Sequence, residues 1–245
     1  MRDAPRAEAR MTIIEHLQEL RHRLVVSALA LFLGSIVAYI FYDPILEVLK
    51  LPLDQGGTIA GFKVELSVRG VTSAFLVRIK VSIFGGLVIA LPVVLYQLWR
   101  FITPGLEPRE KRYALPFVAG SIGLFALGAL FAYLTLPQAI GFLLGFAEGL
   151  QPIIFIDEYV GFVMFMVLAF GITFELPMVV LFLGAAGIVS SRRLRGLRRH
   201  ALVGSAVIAA VATPSQDPYT LVLMAVPLYL MYEISLLIIR FVMKK

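Results

Sequence analysis

The stretch VGFVMFMVLAFGITFELPMVVLFLGAAGIV, residues 160–189, is a long apolar run that indicates the fold class. It contains one ionisable side chain, Glu175. As a helix, rising ~1.5 Å per residue, it would be ~45 Å long, which exceeds the ~30 Å hydrocarbon core of a bilayer. The stretch therefore predicts a transmembrane helix with a carboxyl group near its middle, where a charge costs at least ~2.5 kcal/mol.

The composition extends this prediction to the whole chain. The 245 residues are 60% hydrophobic, and the mean hydropathy is +0.90. A water-soluble domain cannot bury that much apolar surface, so we expect an all-α integral membrane protein. Because the chain has no cysteine, disulfides and thiolate metal sites are excluded. The three histidines lie outside the apolar runs, so we expect no buried histidine metal site and no cofactor.

Six apolar spans can be drawn, which places both termini on the same side of the membrane: Leu24–Tyr42, Val81–Trp99, Tyr113–Leu136, Val160–Val189, Ala201–Ala212 and Tyr219–Ile239. The termini and the segments on their side carry 17 lysines and arginines, against five on the other side. Positive charge marks the cytoplasmic face. The net charge of +6 thus indicates an N-in, C-in topology rather than a nucleic-acid partner.

The connecting segments follow from this topology, and the chain forms one domain. Residues 1–23, 100–112 and 190–200 are expected in the cytoplasm, and residues 43–80, 137–159 and 213–218 outside it. The fifth span would be only ~18 Å long, and Pro227 interrupts the sixth. We therefore expect helices five and six to be short and to lie in a thinned membrane.

Small residues recur on one face of the first span, at Ala30, Gly34 and Ala38. This spacing of four residues permits close approach of another helix. The alternative is that alanine and glycine are simply common in membrane helices.

Acidic side chains interrupt the basic cytoplasmic side at two places. MTIIEHLQELRHRL, residues 11–24, has the spacing of an amphipathic helix, with Glu15 and Glu19 on its polar side. FITPGLEPREKR, residues 101–112, carries Glu107 and Glu110. Two converging carboxylates could bind two adjacent guanidinium groups. Pairing within the chain, such as Glu19 with Arg23 one turn on, explains the same pattern without any ligand.

Several separated motifs resemble the TatC family, the large subunit of the twin-arginine translocase. They are HLQELRHRL at 16–24, LPVVLYQLWRFITPGL at 91–106, FELP at 174–177, TPSQDP at 213–218 and AVPLYLMYE at 225–233. The resemblance covers roughly residues 11–243. It implies six helices in a cupped, glove-like array in the cytoplasmic membrane, and a non-enzymatic receptor for twin-arginine signal peptides of folded proteins. It also implies assembly with TatA, TatB and other TatC copies, lipid contact and transport driven by the proton-motive force.

The same resemblance implies roles for individual residues. The signal-binding glutamates match Glu19 and Glu110, with Arg21 and Phe101 at neighbouring family positions. A proline of the first periplasmic loop matches Pro52, and an acidic residue after the Thr-Pro pair matches Asp217. Where the family often has a glutamine, this chain has Leu221, and Thr220 is a candidate replacement.

Three roles remain open for Glu175. It could be a structural acid bonded to a carbonyl freed by Pro177, a proton relay, or a docking point for a partner's transmembrane helix. In lipid the carboxyl group would be neutral and a good hydrogen-bond donor. No other predicted span carries an acid near its middle, which favours docking over a relay, and the resemblance points to TatA or TatB as the partner.

Two other functions compete with the receptor hypothesis. A proton-coupled secondary transporter would show an internal repeat and more polar groups at mid-membrane depth, and the sequence has neither. An intramembrane hydrolase would need paired catalytic groups inside the spans, and none is present.

Overall fold

The computed structural model describes residues 13–102, 114–147, 149–213 and 217–241. Nine helices and two short strands lie within these ranges. In chain order they are α1 (Ile13–Ile40), α2 (Tyr42–Ala60), β1 (Leu66–Ser67), α3 (Val71–Ile102), α4 (Ala114–Gly145), β2 (Ile154–Phe155), α5 (Ile156–Thr173), α6 (Leu176–Ala185), α7 (Ser191–Gly196), α8 (Arg198–Ala212) and α9 (Pro218–Phe241).

Five helical segments of the described chain are long and apolar enough to cross a membrane. They are Ile14–Ile40, Val71–Ile102, Leu115–Gly145, Ile156–Ala185 and Pro218–Phe241. Large apolar side chains cover their outer surfaces; Phe32, for example, is 63% exposed. Apolar surface on this scale is covered by lipid rather than water. The prediction of an all-α membrane protein is confirmed.

From Ile13 onward the amphipathic N-terminal stretch is helical, but it is not a separate helix on the membrane surface. It forms the first turns of α1, which continues without interruption to Ile40. No glycine or proline precedes Gly34 in this helix, so nothing ends it between its polar turns and its apolar span. The apolar side chains of Ile14 and Leu17 remain mostly exposed.

The segment 43–80, expected as a long loop, is largely helical. Residues 43–60 belong to α2, which ends at Gly61 in the left-handed conformation, with φ of 79°. The glycine Gly56 allows α2 to pack closely on α4, because a Cβ at that position would lie 2.8 Å from the side chain of Ile140. The helix α3 then begins at Val71, ten residues before the predicted start of the second span.

The apolar stretch 160–189 is divided between α5 and α6 by a turn at Phe174 and Glu175. Pro177 has no N–H, so the carbonyl of Thr173 loses its helical partner. The Glu175 N–H donates to the carbonyl of Ile172, three residues back, at 3.1 Å, which tightens the chain locally. The break therefore places the one carboxyl group of this stretch at a helix junction.

The fifth and sixth spans differ in length. The helix α8 has 15 residues, ~22 Å, and is short as expected. The helix α9 has 24 residues, ~36 Å, so it is shorter than α3 and α4 but long enough to cross a normal core. Pro227 lies inside α9 without ending it, which corrects the expectation of a short sixth helix.

The core lies where α2, α3, α4 and α5 meet, around the fully buried side chains of Leu53, Val77, Leu136, Val163 and Phe170. The helix α1 packs beside this core, antiparallel to α3. A Cβ added at Gly34 would lie 2.7 Å from the carbonyl oxygen of Gly86, and one added at Gly85 would lie 2.8 Å from Ala38. The predicted close contact is thus present at Gly34 and Ala38.

Candidate functional site

The first candidate site lies at the end of the molecule where α1 begins and α3 ends, called here the Glu19 end. Glu19 accepts two hydrogen bonds from Arg23: one from Nε at 3.1 Å and a shorter one from Nη2. The remaining amino group of Arg23 donates to Oε1 of Gln97 on α3 at 3.1 Å. One turn of α1 and one side chain of α3 therefore fix the position of the carboxylate. The pairing within the chain that the spacing allowed is present.

The two oxygens of Glu19 are not equivalent. Oε1 accepts both bonds from Arg23, whereas Oε2 is buried and has no partner among the described residues. The side chains of Arg23 and Glu19 are only 11% and 18% exposed. A buried acceptor without a donor costs ~1–3 kcal/mol, so this site would gain from one further donor.

Phe101 and Arg21 differ in their surroundings. The ring of Phe101 stacks on His16, with ring centres 4.5 Å apart and planes 16° apart. This contact joins the first turn of α1 to the last turn of α3. Arg21 is exposed and forms no ion pair within the described ranges.

The predicted ligand Glu110 lies in residues 103–113, outside the described residues, so its convergence with Glu19 stays a prediction.

The second candidate site surrounds Glu175. This residue lies ten positions before Ala185, the end of α6, ~15 Å along the helix. It is therefore displaced by ~7 Å from the middle of the membrane-length segment Ile156–Ala185, toward the Glu19 end. Its carboxyl group lies close to the side chain of Ser121 on α4. The Ser121 hydroxyl in turn accepts a bond from Nε1 of Trp99 on α3, at 2.6 Å.

These contacts bring polar groups of three helices together. Ser121 accepts the bond from Trp99 and can still donate its own hydroxyl hydrogen, and the Glu175 carboxyl group lies close to it. One carboxyl oxygen, Oε1 of Glu175, is buried without a partner in the described part of the chain. Glu175 thus lies beside a polar pair of neighbouring helices and keeps an unsatisfied acceptor.

Sequence reasoning missed Gln97, Trp99 and Ser121. Trp99 is the only tryptophan of the chain, and it is held between Phe117 and Phe182, at 5.1 and 5.5 Å between ring centres. Each of the three was visible as a polar or amphipathic side chain within an apolar run. Their partners were not visible, because each contact joins different helices.

Asp217 and Pro52, the two other residues predicted from the resemblance, lie at a helix start and inside a helix. Asp217 precedes α9 and accepts the Thr220 N–H at 2.8 Å and the Thr220 hydroxyl at 2.5 Å, which is the geometry of an N-cap. Thr220 therefore contacts the acid of its own helix start. Pro52 is buried inside α2, at the opposite end of the molecule, rather than in an irregular loop. No group of three or more metal-ligand side chains occurs among the described residues.

Comparison with known proteins identifies close relatives. The family model described as TatC, Sec-independent protein translocase protein, matches residues 15–227. A Sec-independent protein translocase protein TatC of Aquifex aeolicus is 43% identical over 96% of this chain and 97% of its own length. The corresponding protein of Frankia casuarinae is 42% identical, and the match covers 94% of this chain and 66% of that protein. A crystal structure of the twin-arginine translocase receptor TatC superimposes with a TM-score of 0.79 at 42% identity, covering 94% of this chain and 100% of that one.

Proposed function

Because the chain belongs to the TatC family of Sec-independent protein translocase proteins, we propose that it is the receptor and core subunit of a twin-arginine translocase. It binds the twin-arginine signal peptides of folded proteins, which cross the cytoplasmic membrane at the expense of the proton-motive force. The similarity to a solved twin-arginine translocase receptor over 94% of the chain carries this proposal.

The Glu19 end binds the arginine pair. Arg23 and Gln97 keep the Glu19 carboxylate oriented, and the unpartnered Oε2 offers an acceptor to an incoming guanidinium group. Charge-assisted bonds of this kind contribute ~1.5–3 kcal/mol. The incoming arginine either adds to the pair at Oε2 or displaces Arg23, which keeps its bond to Gln97.

Glu110 supplies the second carboxylate, and Phe101 and Arg21 flank the peptide. Phe101, held against His16, offers an apolar surface beside the charged site. Binding that depends on carboxylates near the surface weakens as salt rises, because the Debye length falls from ~10 Å at 0.1 M to ~3 Å at 1 M.

Glu175 receives the transmembrane helix of a TatA or TatB subunit. The unsatisfied oxygen at this junction supports docking, because a polar group on a partner helix would complete its hydrogen bonds. A relay would need further ionisable groups nearby, and the contacts of Glu175 in the described chain are to Ser121 and not to another acid or base.

The topology and the wider assembly complete the proposal. Six helices cross the cytoplasmic membrane with both termini inside, α8 being the shortest, and other TatC copies and lipid cover the outer surface. The protein has no catalytic role of its own. A proton-coupled secondary transporter remains the alternative, but no observation favours it.

The receptor role is tested by peptide binding to the purified protein in detergent. A labelled peptide with two arginines should bind the unaltered protein, and a peptide with two lysines should bind less well, because lysine cannot form bidentate bonds. Changing both Glu19→Ala and Glu110→Ala should abolish binding of the arginine peptide. The matched control is Glu47→Ala together with Asp54→Ala, at exposed acids of α2. Full affinity in the Glu19 and Glu110 double variant would contradict the proposal.

A further inference from the structure

An open apolar groove runs between α1 and α3. It has a volume of about 580 Å³. Its walls include side chains from both helices, among them Phe32, Ser35 and Tyr39 on α1 and Ile79, Ser82 and Ile83 on α3. The groove extends on α1 from Ala28 to Ile40, ~18 Å along the helix, which is close to the ~15 Å thickness of one leaflet's hydrocarbon.

The positively charged side chain of Arg78 lies at one end of this groove. The guanidinium carbon of Arg78 lies 4.7 Å from the ring centre of Tyr39, a wall residue, and 4.8 Å from that of Tyr42. Arg78 lies on α3 one turn before the groove residue Ser82, whose hydroxyl donates to the Arg78 carbonyl at 2.7 Å. Tyrosines at this position are typical of the headgroup level of a membrane.

Arg78 has no anionic partner in the described part of the chain. It takes part in no ion pair there, and its Nε is buried without a hydrogen-bond acceptor. Asp43, next to Tyr42 in sequence, is exposed and forms no ion pair with Arg78. The two tyrosine rings stabilise the cation through their faces but leave its N–H donors without an oxygen.

We propose that this groove binds a phospholipid, with one acyl chain between α1 and α3 and the phosphate on the guanidinium group of Arg78. The groove matches one leaflet in length and offers no charge along its walls, as an acyl chain requires. Arginine is suited to phosphate because its N–H groups can form two parallel bonds. The close contact of Gly34 with Gly86 holds the two helices together at the groove.

The test captures lipid at the groove itself. A photoreactive benzoylphenylalanine in place of Phe32, which lines the groove, is compared with the same residue in place of Leu33, which is also exposed on α1 but is not a wall residue. The protein in detergent receives subsaturating phosphatidylglycerol, or diacylglycerol with the same chains but no phosphate. The Phe32 probe should capture phosphatidylglycerol about tenfold more efficiently than diacylglycerol, and the Leu33 probe should show no such preference.

Charge variants identify the phosphate contact. Arg78→Gln should reduce capture of phosphatidylglycerol at the Phe32 probe about tenfold, equivalent to ~1.4 kcal/mol, while Arg78→Lys should retain most of it. Lys80→Gln, an exposed cation two residues on, is the matched control and should have no effect. Unchanged capture in Arg78→Gln, or an equal loss in Lys80→Gln, would overturn the proposal.

Two further arms test whether the bound molecule is a lipid and whether its chain lies in the groove. Glycerol phosphate, which has the charge but no acyl chains, should not compete at millimolar concentration. Effective competition would mean that the site binds a free phosphate and not a lipid.

Ala28→Phe, which fills the far end of the groove, should reduce capture of both lipids, whereas Leu29→Phe should not. If the Ala28→Phe and Leu29→Phe variants capture lipid equally well, the acyl chain does not lie in the groove. This test holds even if Arg78→Gln fails to fold.

Discussion

At the scale of single residues, Glu175 illustrates how one carboxyl group can be both anchored and available. It lies close to Ser121 of α4, which is itself fixed by a bond from Trp99 of α3, while its Oε1 lacks a partner among the described residues. An anchored side chain presents its free oxygen in a fixed direction, which is what a docking point for another helix requires.

Replacing Glu175 should therefore affect partner binding more than folding. We expect Glu175→Ala to leave the protein inserted and monodisperse, and to lower crosslinking to a TatA or TatB transmembrane helix several-fold. Glu175→Gln should retain much of the crosslinking, because glutamine keeps a donor and an acceptor but cannot release a proton. Site-specific crosslinking in membranes, read beside transport, measures both effects.

The control for this experiment is Ser235→Ala, which removes a buried hydroxyl that donates within its own helix, to the Met231 carbonyl. It should leave crosslinking unchanged. Normal crosslinking with lost transport in both Glu175 variants would instead indicate a proton relay.

The residues of the candidate sites were only partly predictable from sequence. Glu19 and Glu175 stood out because acids are rare beside or within apolar spans, and the spacing of four residues already allowed the pair of Glu19 with Arg23. Gln97 and Ser121 did not stand out. Their importance comes from contacts with Arg23 and Trp99 that span 74 and 22 positions of the chain, and such contacts follow from helix packing rather than from local pattern.

At the scale of elements, the pairing of α1 with α3 depends on glycine. A Cβ on Gly86 would lie 2.4 Å from the backbone nitrogen of Ser35, so a side chain there must push the helices apart. The same helices provide both the groove beside Arg78 and the contact of Arg23 with Gln97 at the Glu19 end. Their separation would therefore disturb both ends of the pair.

We expect Gly86→Ala to destabilise the protein by ~1–3 kcal/mol, the usual cost of overpacking. Unfolding of the purified protein in detergent, by heat or by titration with dodecyl sulfate, measures the change. The matched control is Gly123→Ala on α4, where an added Cβ meets no atom within 4 Å and helix propensity improves. Equal stability of the two variants would show that α1 and α3 can separate at Gly86 without cost.

The elements themselves were predictable to different degrees. The apolar spans and the small-residue face of α1 follow from composition and spacing. The extension of α1 through its polar turns, the helical character of α2 and the length of α9 were not expected. Polar or proline-containing sequence predicts a boundary in each case. The helix α1 continues because no glycine or proline precedes Gly34, and α2 packs closely on α4 at Gly56.

At the scale of the whole molecule, the two ends differ in charge and in construction. The Glu19 end carries the basic segment of α7 and the start of α8, including Arg192, Arg193 and Arg195. The opposite end is closed by the parallel pairing of β1 with β2, through Leu66 with Ile154 and Ser67 with Phe155. Arg69 strengthens this cap by pairing with Glu158 and lying 4.4 Å from the ring centre of Phe155.

We expect the basic end to face the cytoplasm, and the absence of cysteine makes this testable without a background signal. Single cysteines at the exposed positions Arg192 and Asp54 can be labelled with a membrane-impermeant maleimide in intact cells. Asp54→Cys should react from outside, and Arg192→Cys should react only after the membrane is opened. The reverse pattern would invert the topology and remove the acids at the Glu19 end from the side where signal peptides arrive.

The receptor role requires that Glu19 contact an arginine of the signal peptide, and a double-mutant cycle measures that contact. Glu19→Gln in the protein is combined with replacement of one peptide arginine by glutamine, and the four affinities are compared at low salt. Direct contact predicts a coupling energy of ~1.5–3 kcal/mol for one of the two arginines. Additive effects for both arginines, with Glu19 changed and the protein folded, would contradict it.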